Sequence, residues 1–141
     1  MENTKQLGLL GELKAQYDFI KNGFEVSIPL GDYCAYDLII RKNGITKRIQ
    51  VKTCEHITDG KIDFKISSRN YYIDKSYTEN EADYFYLYCL ENEQSYLYPV
   101  KNCNVRGIYL RIIPPKNNQV AGINFAKDFI FQDNINKLLE I

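Results

Sequence analysis

A single histidine, His56, stands among 141 residues. That scarcity leaves little room for Ser/His or Cys/His nucleophilic chemistry, and His56 reads as a surface residue. Cysteine is nearly as uninformative: Cys34, Cys54, Cys89 and Cys103 are 20, 35 and 14 residues apart, so there is no Cys-x-x-Cys pair and no zinc-ligand spacing. They are read as reduced thiols of a cytoplasmic protein. Net charge is also missing, because eighteen basic and eighteen acidic side chains cancel; a generic polyanion binder held by whole-molecule charge is excluded. No apolar run exceeds Tyr84 to Leu90, which is too short to span a bilayer, and Met-Glu-Asn-Thr-Lys-Gln lacks the regions of a signal peptide. No repeat, low-complexity tract or linker interrupts the chain, and the one proline pair, Pro114-Pro115, falls late. Residues 1–141 are therefore expected to form one domain.

Charge is present locally. From Arg41 to Lys75 there are nine lysines and arginines against Glu55, Asp59, Asp63 and Asp74. This stretch is either a solvated basic face or a phosphate contact. Lys47, Arg48, Lys61, Lys65 and Arg69 are its candidate DNA-binding residues. Tyr71, Tyr72 and Tyr77 are interleaved with these cations and either face DNA or pack a sheet.

The first element is expected to be a helix, with Asn3 and Gln6 spaced as a capping box and Asn22-Gly23 as a stop. At ~100° per residue, Leu9, Leu10, Leu13, Tyr17 and Ile20 form an apolar stripe. Gly8, Glu12, Ala15 and Phe19 line a second row, and Lys14, Asp18, Lys21 and Asn22 form the polar remainder. Both rows are expected to be buried, with Gly8, Gly11 and Ala15 permitting close approach. Glu12 is then the one carboxylate off the solvent face.

Short β-type runs follow: Phe24 to Ile28, Ala35 to Arg41, Thr46 to Cys54, Lys61 to Ile66, Tyr84 to Leu90, Tyr96 to Val100 and Ile108 to Ile113. Ala126 to Leu139 reads as helical in part. The order points to an α/β or α+β arrangement whose sheet begins antiparallel.

Asn43-Gly44 supplies the two positive-φ residues that a type I′ hairpin needs. If those two are the turn, Lys42 faces Ile45, and counting back along both strands brings Asp37 opposite Gln50. Opposed residues share a face with Cβ atoms ~5 Å apart, and Lys52 joins that face by the two-residue period. The flanking Leu38, Ile39, Ile40, Ile49 and Val51 suggest cover on both faces, where a carboxylate is costly without a cation. Glu12, Asp37, the Gln50 amide oxygen and the Val51 carbonyl make an oxygen-only set suited to a hard cation, Mg²⁺ or Mn²⁺. Such an ion would polarise a phosphoryl oxygen and acidify a bound water, with Lys52 placed to orient that water, take its proton or stabilise charge.

These residues resemble the PD-(D/E)xK nuclease superfamily: Gly8-x-x-Gly11-Glu12 on an opening helix, Tyr36-Asp37 entering a strand, and Ile49-Gln50-Val51-Lys52-Thr53 closing a hairpin. The Gln-x-Lys variant, with Glu81 to Tyr88 and Tyr96 to Val100, is most similar to its small intron-encoded homing endonuclease branch. The resemblance implies a restriction-endonuclease-like core, with a mixed central sheet and an N-terminal helix over a β-hairpin. It implies a Mg²⁺-dependent endonuclease that hydrolyses double-stranded DNA, in which Glu12 and Asp37 bind metal, Gln50 replaces the usual acid and Lys52 is the catalytic lysine. Two departures stand out: Tyr36 occupies the place of the motif's proline, and Gln50 removes one negative charge from the site. Cutting both strands implies a homodimer or homotetramer. A Holliday-junction resolvase or a restriction or repair nuclease shares the motif, and a silent module that binds DNA or protein is the alternative outside catalysis. A purely structural module leaves Glu12 unexplained.

Overall fold

In the computed structural model, residues 3–66, 81–103 and 107–140 are described. The chain opens with α1 (Thr4–Lys21), capped by the Asn3 side chain, which accepts from the Lys5 and Gln6 amides at 2.9 and 3.4 Å. The helix ends where Gly23 takes a φ of +87°. There the Gly23 N–H bonds the Ile20 carbonyl and the Phe24 N–H the Phe19 carbonyl, the paired bonds of a Schellman stop. Phe19 and Phe24 complete it with an edge-to-face contact at 5.6 Å.

Strands β1 (Glu25–Ser27), β2 (Leu38–Lys42), β3 (Ile45–Cys54), β4 (Lys61–Lys65), β5 (Tyr84–Cys89), β6 (Gln94–Pro99) and β7 (Gly107–Arg111) follow. All seven expected strands are present, with ends shifted by up to three residues. Five form one sheet in the order β1-β2-β3-β5-β6, and β4 pairs with β7 apart from it. The sheet begins antiparallel, as expected, and becomes mixed at β3 and β5, which run parallel. The hairpin turn is Asn43-Gly44 with φ of 54° and 77°, and its register pairs Lys42 with Ile45 and Leu38 with Ile49.

Two cores flank the sheet. On one face, Ala15 and Phe19 of α1 pack on Leu38, Ile40, Ile49, Val51 and Tyr86. On the other, Ile62 and Phe64 of β4 with Ile108 and Leu110 of β7 cover Phe85, Leu87, Tyr96 and Tyr98. Phe85 to Cys89 are buried throughout, which is why β5 reads as a continuous apolar run. The carboxyl-terminal stretch is helical in part: two 3₁₀ turns (Ala126–Asp128 and Ile135–Leu139) flank α2 (Phe131–Asn134). Phe131 meets the rings of Phe19 and Tyr86 at 5.2 and 5.6 Å.

The orientation of α1 corrects the sequence reading. Gly11, Ala15, Asp18 and Phe19 are buried, whereas Leu9, Leu10, Leu13, Tyr17 and Ile20 are exposed. The row of small residues turns inward because only it lets the helix backbone reach β3: a Cβ on Gly11 would lie 2.0 Å from the Thr53 Cγ2. Gly8, expected to serve the same end, has nothing within 4 Å of its would-be Cβ. Asp18 also leaves the polar remainder. It is a buried carboxylate that accepts from the Tyr86 hydroxyl at 2.5 Å and pairs with Lys14 at 2.8 Å. The same hydroxyl lies 2.6 Å from the Ser95 Oγ.

Candidate active site

The site forms where β2 stops short and β3 continues. The ladder ends at Leu38 and Ile49, and among the described residues no strand pairs with the last part of β3 on that side. Asp37 takes over that edge. Its own N–H donates to the Ile49 carbonyl at 2.8 Å, and its carboxylate accepts from the Val51 N–H at 2.8 Å. Asp37 thus bridges the residues on either side of Gln50, the position expected to oppose it. The N–H and C=O of one strand residue face the same lateral direction, so the Val51 carbonyl turns toward Asp37 as well.

Burial raises the Asp37 carboxyl, against the lowering effects of the Val51 amide and the nearby Lys52 ammonium. Glu12 is raised by burial first and then by the negative charge of Asp37. The structure therefore brings Glu12 to Asp37 and Asp37 to Lys52, with Gln50 and Lys52 half-buried on β3. Two desolvated carboxylates that repel one another form a place a divalent cation stabilises. Among the described residues no group of three or more His, Cys, Asp or Glu side chains gathers. The candidate donors, two acids, an amide oxygen and a backbone carbonyl, are all oxygens, the ligand type of hard cations.

The basic candidates are dispersed. Arg48 shares the face of Gln50 and Lys52 by the strand period, but its guanidinium forks onto Asp83, Nε to Oδ2 at 3.2 Å and Nη2 to Oδ1 at 3.1 Å, and its backbone N–H donates to Oδ2 at 2.7 Å. Burial alone would raise the Asp83 carboxyl; the Arg48 hydrogen bonds outweigh it and hold the group below its usual range. Lys47 points to the opposite face, near Lys101 and Lys137. Lys61 lies over the Tyr109 ring at 4.6 Å, and Lys65 is exposed at the end of β4. Arg69, Tyr71, Tyr72, Lys75 and Tyr77 lie outside the described residues. His56 is exposed, and none of the four cysteines forms a disulfide with another described residue.

The sequence reading missed what anchors Glu12. The Asp18–Tyr86–Ser95 hydrogen bonds tie α1 to β5 and β6, and the Gly11–Thr53 approach sets the helix height over β3. The signal was present: Asp18 follows Gly11 by seven residues and Ala15 by three, so it shares their row.

A family model described as a PD-(D/E)XK endonuclease matches residues 2–132. Among solved structures, a bacterial homing endonuclease, I-Ssp6803I, superposes with a TM-score of 0.75 at 23% identity, covering 94% of this chain and 92% of that one. Hjc, a Holliday junction resolvase from Archaeoglobus fulgidus, superposes with a TM-score of 0.51 at 16% identity, covering 74% and 83%. At these identities the likeness concerns the fold, which is restriction-endonuclease-like. No curated protein matches. No helix among the described residues is long and apolar enough to cross a membrane.

Proposed function

Because the chain belongs to the PD-(D/E)XK endonuclease family, we propose that it is a divalent-metal-dependent endonuclease that hydrolyses phosphodiester bonds in double-stranded DNA at defined sites, in the manner of a homing endonuclease. The observation that carries this reading is Asp37. It is held beside Val51 by a 2.8 Å bond and coupled by charge to both Glu12 and Lys52. A structural hairpin has no use for two desolvated acids and a lysine at one strand end.

Glu12, Asp37, the Gln50 amide oxygen and the Val51 carbonyl would hold the metal, Mg²⁺ with Mn²⁺ as a substitute. When bound, it supplies polarisation of the scissile phosphoryl oxygen and a more acidic water. Asp37 is kept in place by the Val51 amide, so the chain sets its geometry before substrate arrives. Lys52 lies one strand period from Gln50, where its ammonium stabilises charge on the phosphate and its amine, once deprotonated, accepts the proton of the attacking water. Gln50 contributes an oxygen without a charge, which lowers metal affinity relative to an acid there. One site cuts one strand, so a double-strand break calls for two copies.

Plasmid DNA incubated with the protein and Mg²⁺ should be nicked or linearised with 5′-phosphate ends, and Lys52→Ala and Asp37→Ala should lose at least about a hundredfold in rate. Equal cleavage by wild type and variants would reject the assignment. A second reading, a silent module that binds DNA or protein, is favoured by the neutral Gln50. Mn²⁺ binding that disappears in Asp37→Asn would count against it. Comparing branched junctions with linear duplex as substrates tests the resolvase alternative.

A further inference from the structure

The two most exposed large apolar residues among the described ones stand on the loop that leads into Asp37. β1 ends at Ser27, which pairs with Ile39, and β2 begins at Leu38. Residues 28–37 therefore leave and rejoin the sheet at the margin where Asp37 meets β3. Leu30 is fully exposed, Tyr33 is 89% exposed and Ile28 is 62% exposed. The loop is held at its base: Tyr36 packs against the core that β4 and β7 cover, and Asp37 is hydrogen-bonded to Ile49 and Val51. Its tip is ordered as well, because Pro29 fixes its own φ and the Tyr33 ring lies over Gly31, where a Cβ would overlap it. Scattered exposed apolar residues need no explanation, but a fixed loop that holds large ones in water beside a candidate active site does.

We propose that this loop is a wedge that places Leu30 and Tyr33 between bases of the DNA close to the cut, so that the ease of unstacking a base step becomes part of what the enzyme selects. The inference rests on the proposed function for its substrate and adds which residues touch the bases. Four residues of chain reach at most about 14 Å, and DNA rises ~3.4 Å per base pair. With a phosphate at Asp37, Tyr33 thus meets a step within about four base pairs of it. The chemistry favours bases over backbone. Asp32 is the one charged residue from Ile28 to Tyr36; an acid repels phosphate, but it accepts a hydrogen bond from the exocyclic amino group of a base. Leucine and other apolar side chains are the residues that proteins drive between base steps to kink a duplex. A tip already ordered in the free protein loses less freedom on insertion. Unstacking opposes the insertion, so a step that is already unpaired is entered more readily.

Fluorescence anisotropy of a labelled duplex in Mg²⁺ tests this, with Lys52→Ala as the parent protein so that the DNA stays intact. The parent should bind a duplex carrying one abasic position at least about tenfold more tightly than the fully paired duplex of the same sequence. Adding Leu30→Ser or Tyr33→Ala should abolish that preference, and Gly31→Ala, whose methyl displaces the Tyr33 ring, should reduce it. All three should keep the circular dichroism of the parent. Val120→Ser, at an exposed apolar residue of another loop, should leave the preference unchanged. 2-Aminopurine beside the abasic position should change its emission with the parent and not with the Tyr33→Ala protein. Equal affinity of the parent for the two duplexes overturns the proposal, as does a preference that survives both Leu30→Ser and Tyr33→Ala. A Leu30→Ser protein that loses a two-chain mass in light scattering but keeps the preference assigns the loop to a second copy and rejects the wedge. Cleavage keeps the two readings apart. A wild type that does not nick plasmid defeats the nuclease reading and leaves the binding preference standing, whereas nicking without that preference defeats the wedge alone.

Discussion

The two sides of α1 both carry apolar residues and meet opposite fates. One side offers Gly11, Ala15 and Phe19 and is buried; the other offers three leucines, a tyrosine and an isoleucine and is exposed. Hydrophobicity alone ranks them the wrong way round. What decides is shape: the inner side must lie against a strand whose Thr53 and Val51 leave no room for a side chain at position 11, and close packing rewards fit over bulk. The inner side even accommodates a carboxylate, because Asp18 meets Tyr86 and Lys14. Burial of that kind costs little when every polar atom is paired. In this family member the helix is a spacer set by its small residues, and its large residues face outward.

Substitutions should separate the two sides in a graded way. The largest effect is expected from Gly11→Val, which drives branched carbon into Thr53 and Val51. Urea denaturation should show a loss of about 3 kcal/mol, and metal binding should weaken as Glu12 is displaced. Gly8→Ala, three residues away with open space around it, should instead leave the protein as stable or slightly more so; equal destabilisation by both would refute the packing argument. Next comes Tyr86→Phe, which deprives Asp18 and Ser95 of a shared partner and should cost about 2 kcal/mol by the same measurement. A change too small to measure would mean that Asp18 is held by Lys14 alone. The smallest effect belongs to the outer side: Leu9→Gln should shift stability by less than about 0.5 kcal/mol. A loss as large as that of Tyr86→Phe would place Leu9 in the core and collapse the distinction.

The hairpin part of the candidate site was legible because its geometry is local. Asn43-Gly44 admits one turn, the turn admits one register, and the register brings Asp37 to the Gln50 level with Lys52 one period along. The structure keeps that register to Leu38 and then departs from it only where Asp37 reaches across to Val51. Arg48 was less legible. As one of several cations in a basic stretch it had no visible partner, and the one it has, Asp83, is 35 residues further on. The expected Ala35–Asp37 portion of β2 is not strand, because the Asp37 side chain, which no pattern of apolar residues describes, takes the Val51 amide where a further strand residue would.

Local chemistry thus determined the hairpin, its register, the helix with its Asn3 and Gly23 ends, and the placing of Asp37 near Gln50 and Lys52; each follows from interactions between neighbours in the chain or across one turn. Tertiary structure alone decided which side of α1 faces the sheet, that Asp18 is buried, and that β3 and β5 lie parallel. The reason is one of reach. A 3.6-residue period marks two apolar sides equally well, and the partners that choose between them, Thr53 beneath Gly11 and Tyr86 beside Asp18, are separated from the helix by long stretches of chain that no local pattern spans.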